Sequence, residues 1–249
     1  MPYIANQGIR IHYEIEGHGP PMLLMHGFAG SLDDWRDFGY VDVLKRAYRL
    51  ILLDERGHGK SDKPRAADSY AMCYRVSDVL AVLDALAVGR VYVCGYSMGG
   101  EVAFGLAQMA PERVKALLIG GMHPYEAAHP DAYDQAVALL KEGIEAAAAA
   151  WAPLERRQRF LQNDAEALIA SMEAARDWTG LGEKVTDLSM PSLFYVGEED
   201  PLMLPGIQSC AQQVSRATLV VLPGMDHSDA YERSEVVLPH LANFLESIS

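Results

Sequence analysis

Arg90-Val91-Tyr92-Val93-Cys94-Gly95-Tyr96-Ser97-Met98-Gly99-Gly100 is the stretch on which the reading of this chain turns. Residues 90–97 are a short run of β-branched, aromatic and apolar residues, the pattern of a strand buried on both faces. Residues 98–110 follow as a helix, which stops at the residue before Pro111 because a residue preceding proline is pushed out of the helical region. Between them stands Gly95-Tyr96-Ser97-Met98-Gly99. A Gly-x-Ser-x-Gly string alone is a weak signal. Its weight comes from its position, directly after a buried strand and at the opening of a helix. The turn is too tight for side chains on the flanking positions, so both are glycine. Ser97 then sits at a strained apex with its hydroxyl exposed. The helix starting at Met98 aims free N–H groups and the positive end of its dipole at the same point.

Working outward, strands and helices alternate. Residues 3–16 read as two short strands with a turn at Asn6-Gln7-Gly8, and 20–27 and 48–59 as apolar strands running into glycine loops. Residues 69–87 carry Val76, Val79, Leu80, Leu83 and Leu86 at helical spacing. Further strands are expected at 114–121, 191–197 and 217–224. A C-terminal helix is expected from about 235, with Pro239 blurring its start. This pattern predicts an α/β fold: a mostly parallel, eight-stranded sheet with helices on both faces.

Residues 122–190 break the alternation, with no strand signal. Tyr133, Val137, Leu140, Ile144, Ala148 and Trp151 form one amphipathic face; Leu161, Leu168, Met172 and Ala175 form another. The segment holds 12 acidic and 6 basic residues. We expect a core of residues 1–121 and 191–249 with a helical lid of residues 122–190 over the C-terminal edge of the sheet. That edge is where ligands bind in open α/β sheets.

The whole chain has 249 residues, half of them apolar, and a formal charge of −13. It can bury a large core, which excludes a disordered chain or a disulfide-stapled miniprotein. So acidic a surface repels phosphate backbones, making nucleic acid and anionic membranes poor partners. No apolar run approaches the ~20 residues of a membrane span. The N-terminus has no signal-peptide pattern, and Cys73, Cys94 and Cys210 read as buried, reduced thiols. A cytoplasmic location follows as the expectation.

A serine hydroxyl needs a base. Of the eight histidines, His227 follows the last strand by a short loop, on the sheet edge where the Ser97 turn lies. His123, just after the strand ending at Gly121, is its rival. His12 and His18 lie in the N-terminal hairpin and His240 in the final helix, away from that edge. The base needs a carboxylate to hold its tautomer, and Asp200, three residues after Gly197, is the choice. Glu198 and Glu199 stand nearer the strand and read as solvated; Asp226 is too close to His227 in sequence. The order is nucleophile, acid, histidine. An oxyanion hole would take the N–H groups of Met98 and Phe28. Phe28, Tyr96, His123 and Trp151 are expected to line the substrate pocket, with His26 bracing the loop before Phe28. His123 and His129 read as flanking the lid hinge rather than as metal ligands. Gly59-Lys60-Ser61 hints at a phosphate loop, but the position that motif reserves for its first glycine is Asp54.

His26-Gly27-Phe28, Asp54 to Ser61, Gly95 to Gly100, Gly197 to Asp200 and Asp226-His227 stand in the order of one family. On these motifs the chain resembles the α/β-hydrolase superfamily, over its whole length except 122–190. The resemblance implies a structural brace at Asp54–Ser61, no cofactor and no metal, a small-molecule substrate, and a monomer or homodimer. It points to small bacterial carboxylesterases and enol-lactonases. The expected function is hydrolysis of small, fairly apolar carboxylic esters by Ser97, His227 and Asp200 through an acyl-enzyme. The alternatives are an enol-lactone or carbon–carbon bond (vinylogous diketone) hydrolase with the same residues, a perhydrolase or acyltransferase, and a non-catalytic ligand-binding protein. A serine at position 97 argues against chemistry through an ester on a carboxylate.

Overall fold

The computed structural model describes residues 2–126 and 130–248. The hairpin at Asn6-Gln7-Gly8 is formed by β1 (Tyr3–Asn6) and β2 (Ile9–Glu16), with Asn6 opposite Ile9. Gln7 and Gly8 both have positive φ, as the twist of a two-residue hairpin turn requires. The chain continues through β3 (Pro21–Met25), two short helices α1 (Asp34–Asp37) and α2 (Tyr40–Leu44), and β4 (Arg49–Leu53). Next come α3 (Met72–Ala85), β5 (Val91–Tyr96), α4 (Met98–Met109) and β6 (Val114–Gly120). Four helices follow: α5 (Pro130–Glu142), α6 (Ile144–Trp151), α7 (Arg157–Phe160) and α8 (Ala165–Arg176). The last part is β7 (Ser192–Gly197), α9 (Leu204–Gln213), β8 (Ala217–Leu222), α10 (Asp229–Glu232) and α11 (Ser234–Ser247).

The eight strands form one sheet in the order β1-β2-β4-β3-β5-β6-β7-β8. β1 and β2 join it antiparallel; every pairing from β4 to β8 is parallel. Successive residues of β3 show why its sequence is solidly apolar. Leu23 and Met25 pack with Val76 of α3, Val102 of α4 and Ile207 of α9. Met22 and Leu24 pack on the opposite face with Trp35, Tyr40 and Leu241 of α11. A strand covered by helices on both sides has no position to give to water.

Several expectations are refined. The helix read over 69–87 begins at Met72, after a 3₁₀ turn at Ala67–Tyr70. Cys94 and Cys210 are buried, but Cys73 is exposed: on α3 the core side is taken by Val76, Val79, Val82 and Leu83, which turns residue 73 outward. The face read from Tyr133 to Trp151 is two helices, broken at Gly143 with φ 126°, a conformation that favours glycine. Val137, Leu140 and Ala148 on it are buried, whereas Trp151 stays 39% exposed. α11 runs through Pro239. Among the described residues no helix is long and apolar enough to cross a membrane. His129 lies outside the described residues.

The helical segment after β6 is tied to the rest by arginines. Arg65 pairs with Asp164 and Glu166, each at 2.8 Å. Arg156 pairs with Glu232, and Arg159 with Asp34 and Asp37. Asn163 Nδ2 also donates to the Ala29 carbonyl at 2.9 Å.

Candidate functional site

Ser97 has φ 49° and ψ −117°, a strained conformation for a residue with a side chain. Its N–H donates to the Gly120 carbonyl at 2.9 Å, and its own carbonyl accepts from Gly100 and Glu101 at the start of α4. The flanking glycines are required by closeness. A Cβ on Gly95 would sit on the Gly99 carbonyl, and a Cβ on Gly99 on the carbonyl oxygen of Met25 in β3. The second clash comes from the neighbouring strand, which the sequence motif alone does not reveal.

His227 Nε2 lies 3.1 Å from Ser97 Oγ, and His227 Nδ1 lies 2.6 Å from Asp200 Oδ2. Asp200 is buried, and its other oxygen accepts from Met203 N–H at 3.2 Å. The loops after β7 and β8 meet because Gly197 has no side chain: a Cβ there would overlap Met225 and Asp226. Glu199 N–H donates to the Met225 carbonyl at 2.8 Å, and Tyr96 donates its hydroxyl to the His227 carbonyl. Glu198 is not simply solvated; it accepts from Gly224 N–H at 3.1 Å and helps pin the loop. Asp226 accepts from Ser228 and Asp229 at the start of α10.

The loop after β3 approaches Ser97 from the other side: a Cβ on Gly27 would come within 3.8 Å of Ser97 Cβ. His26 holds that loop, donating from Nδ1 to the Gly27 carbonyl at 2.8 Å and accepting from Glu55 N–H at Nε2 at 3.2 Å. The Phe28 and Met98 N–H groups donate to no acceptor among the described residues. Residues 54–61 brace the same region. Asp54 pairs with His12 at 2.8 Å and accepts from Leu32 and Lys60, while Ser61 donates to the Asp54 carbonyl at 2.7 Å.

Two cavities meet at Ser97 and His227. One, of about 280 Å³, has a polar wall that includes Asp34, Arg156, Arg159 and Glu232. The other, of about 510 Å³, is bounded mainly by apolar residues such as Met98, Met122, Ala136, Met172 and Leu202. Phe28 and Trp151 line both, with their rings edge-on at 6.4 Å. Tyr96 lines only the polar one and stacks on Tyr231 at 4.2 Å. His123 lines neither. It borders a side cavity of about 40 Å³, accepts from Tyr125 N–H at 3.3 Å, and burial holds its pKa below the usual histidine value.

Sequence reasoning missed Asp34, Arg156, Arg159, Glu232 and Glu101 as wall residues. Two signals were available: an Arg156-Arg157-x-Arg159 cluster in an otherwise acidic segment, and a lone acid, Glu101, in the apolar helix after Ser97.

Comparison with known proteins agrees with this architecture. Residues 20–159 match the family model described as the alpha/beta hydrolase fold. The chain is 28% identical to a non-heme haloperoxidase of Rhodococcus erythropolis, over 99% of this chain and 100% of that one. It is similar in structure to the enol-lactonase from Burkholderia xenovorans LB400, with TM-score 0.89 and 26% identity over 98% and 100% of the two chains. A thermophilic esterase from Thermogutta terrifontis shares the fold, with TM-score 0.84 and 22% identity over 100% and 99% of the chains. With more than half its length matched by the family model and its sheet in this order, the chain belongs to the alpha/beta hydrolase fold family.

Proposed function

We propose that the protein is a serine hydrolase that cleaves small, fairly apolar carboxylic esters through an acyl-enzyme. The observation that carries this reading is the relay Asp200–His227–Ser97, at 2.6 and 3.1 Å, opening on an apolar cavity of about 510 Å³. Ser97 Oγ attacks the ester carbonyl while His227 Nε2 takes its proton. The carbonyl oxygen, now negative, accepts from the Phe28 and Met98 N–H groups, donors with no other partner among the described residues. His227 returns the proton to the departing alkoxide, and the alcohol leaves. Water, deprotonated by His227, then attacks the acyl-enzyme and releases the acid, and the proton goes back to Ser97. Asp200 holds the His227 ring in the tautomer that leaves Nε2 free, and stabilises the imidazolium. Phe28 and Trp151 line the substrate pocket with Tyr96, His123 standing one cavity away. Residues 122–190 act as a lid over it, and the cytoplasm is the proposed compartment.

Lactone opening by the same residues is the second reading, favoured by the likeness to the Burkholderia enol-lactonase. A p-nitrophenyl ester series from acetate to dodecanoate, with wild type and Ser97→Ala side by side, tests the first. Turnover is expected to peak at one short chain length and to vanish in Ser97→Ala; turnover that survives the substitution overturns the assignment.

A further inference from the structure

Helix α4 is buried along almost its whole length, yet its fourth residue is a glutamate. Glu101 is only 4% exposed. Its Oε1 accepts from Arg75 Nη1 at 3.1 Å, and the same guanidinium pairs with Glu55 at 3.0 Å. One buried cation therefore serves two buried carboxyl groups. Burial, with Glu55 nearby, pushes the Glu101 pKa above the usual carboxylate range despite Arg75. Glu55 Oε1 is sealed away without a partner, whereas Glu101 Oε2 has neither a hydrogen bond nor that seal. Glu101 forms part of the wall of the 510 Å³ cavity and also borders a cavity of about 270 Å³ beside Met72 and Trp178. Outside the Ser97–His227–Asp200 constellation, the other side chains on the wall of the 510 Å³ cavity that carry a polar atom are Tyr133, Ser171 and Trp151. His123 and Tyr133 share the adjoining side cavity with it.

A buried carboxyl group on the wall of an apolar chamber, with one oxygen unbonded, has narrow chemistry. It repels a carboxylate when ionised, and an alkyl group leaves it unsatisfied. An ammonium could pair with the carboxylate, but it would give up its hydration in an apolar chamber and stand beside the Arg75 cation. A hydroxyl suits it in either protonation state, donating to the carboxylate or accepting from the acid. Glu101 follows Ser97 by four residues, about one helical turn of ~5.4 Å, so the group it meets lies a few bonds from the scissile carbonyl. Resting on the hydrolase reading above, we propose that Glu101 is a specificity-determining residue that hydrogen-bonds a hydroxyl on the apolar arm of the substrate. The preferred substrates are hydroxylated aliphatic esters or lactones rather than plain alkanoates or half-esters of diacids.

The test pairs isosteres: methyl 6-hydroxyhexanoate against methyl heptanoate for the acyl arm, and 4-hydroxybutyl acetate against pentyl acetate for the alcohol arm. Monomethyl adipate and methyl 6-aminohexanoate are the charged controls. Wild type should favour the hydroxylated member of one pair by about tenfold in kcat/KM, chiefly through KM. Glu101→Gln, which presents an N–H donor and a carbonyl acceptor in the same shape, should keep the preference. Glu101→Leu should abolish it; Arg75 then faces Glu55 one to one, so the fold is retained, as a melting curve checks. The same esters are titrated into Ser97→Ala by tryptophan fluorescence, since Trp151 lines the cavity. Equal treatment of both pairs, preference for the adipate or amine, or a preference that survives in Glu101→Leu overturns the inference. Absent or Ser97-independent turnover with the binding preference intact would overturn the hydrolase reading and leave this one standing.

Discussion

His227 Nδ1 stands 2.6 Å from Asp200 Oδ2 across 27 residues of chain, each group delivered by a different strand end. The carboxylate is buried and the imidazole partly open. This is a pair in which the acid has no role for solvent to replace. Asp200→Asn keeps the shape and the Met203 N–H contact, but its amide cannot stabilise an imidazolium and favours the wrong tautomer. Under the proposed mechanism kcat should fall by about 10³–10⁴-fold with little change in KM, as steady-state kinetics on the best p-nitrophenyl ester would read. A fall under tenfold would argue against the assigned role of Asp200.

Gly99→Ala tests the packing of the Ser97 turn. The added methyl meets the Met25 carbonyl, at the end of a central strand that cannot retreat, and the His26 carbonyl just beyond it. Overpacking of this kind costs about 1–3 kcal/mol or more, to be read from the urea midpoint. A change below about 0.5 kcal/mol would mean that α4 can slide away from β3.

His58 should make stability depend on pH. Burial lowers its pKa to about 3, with the nearby His26 acting in the same direction. It donates from Nδ1 to the Arg56 carbonyl at 3.1 Å, while Nε2 is buried without a partner. The folded protein therefore keeps His58 neutral, whereas the unfolded chain takes up a proton near pH ~6.5. The unfolded state then binds more protons below that pH. Its contribution is fully present above ~6.5 and is lost by about 1.4 kcal/mol per pH unit as the pH falls towards 3. His58→Gln should flatten the unfolding free energy between pH 6.5 and 4 relative to wild type. Parallel curves for the two proteins would contradict the assignment.

Arg159 joins the segment after α6 to Asp34 and Asp37 of α1, at the wall of the polar cavity. Asp34 is buried, and burial raises its pKa against the pull of Arg159. Since the arginine is partly exposed but its loss leaves the buried Asp34 without its cation, Arg159→Ala should cost about 1–3 kcal/mol in global stability. If residues 122–190 are a lid, the larger effect is local: faster limited proteolysis within the segment and a raised KM at unchanged kcat. Unaltered cleavage rates and KM would show that the clamp does not hold it.

The fold was legible because its strands are apolar runs between glycine loops. Leu23 and Leu24 face opposite sides of the sheet and are both buried, so no polar alternation interrupts the pattern. Ser97, Asp200 and His227 could be named because each follows a strand end by a few residues, and strand ends of a parallel sheet collect on one edge. Long-range pairing was not legible in the same way. His123 also follows a strand end, yet its ring turns into a side cavity against Gly206, a choice made by packing. Helical spacing puts Trp151 on one continuous face, but Gly143 breaks that helix and leaves the ring half-open over two cavities.

Periodicity and local turn chemistry act over a few residues, and they sufficed to determine the alternating α/β order, the strained serine between Gly95 and Gly99, and the succession of Ser97, Asp200 and His227 at strand ends. Only the tertiary structure decided that Gly99 must be bare because of Met25, that Arg159 reaches Asp34, and that Arg75 is shared by Glu55 and Glu101. Those contacts join residues 20 to 125 positions apart in the chain. Their energies depend on distance and burial, quantities that exist only once the chain has closed on itself.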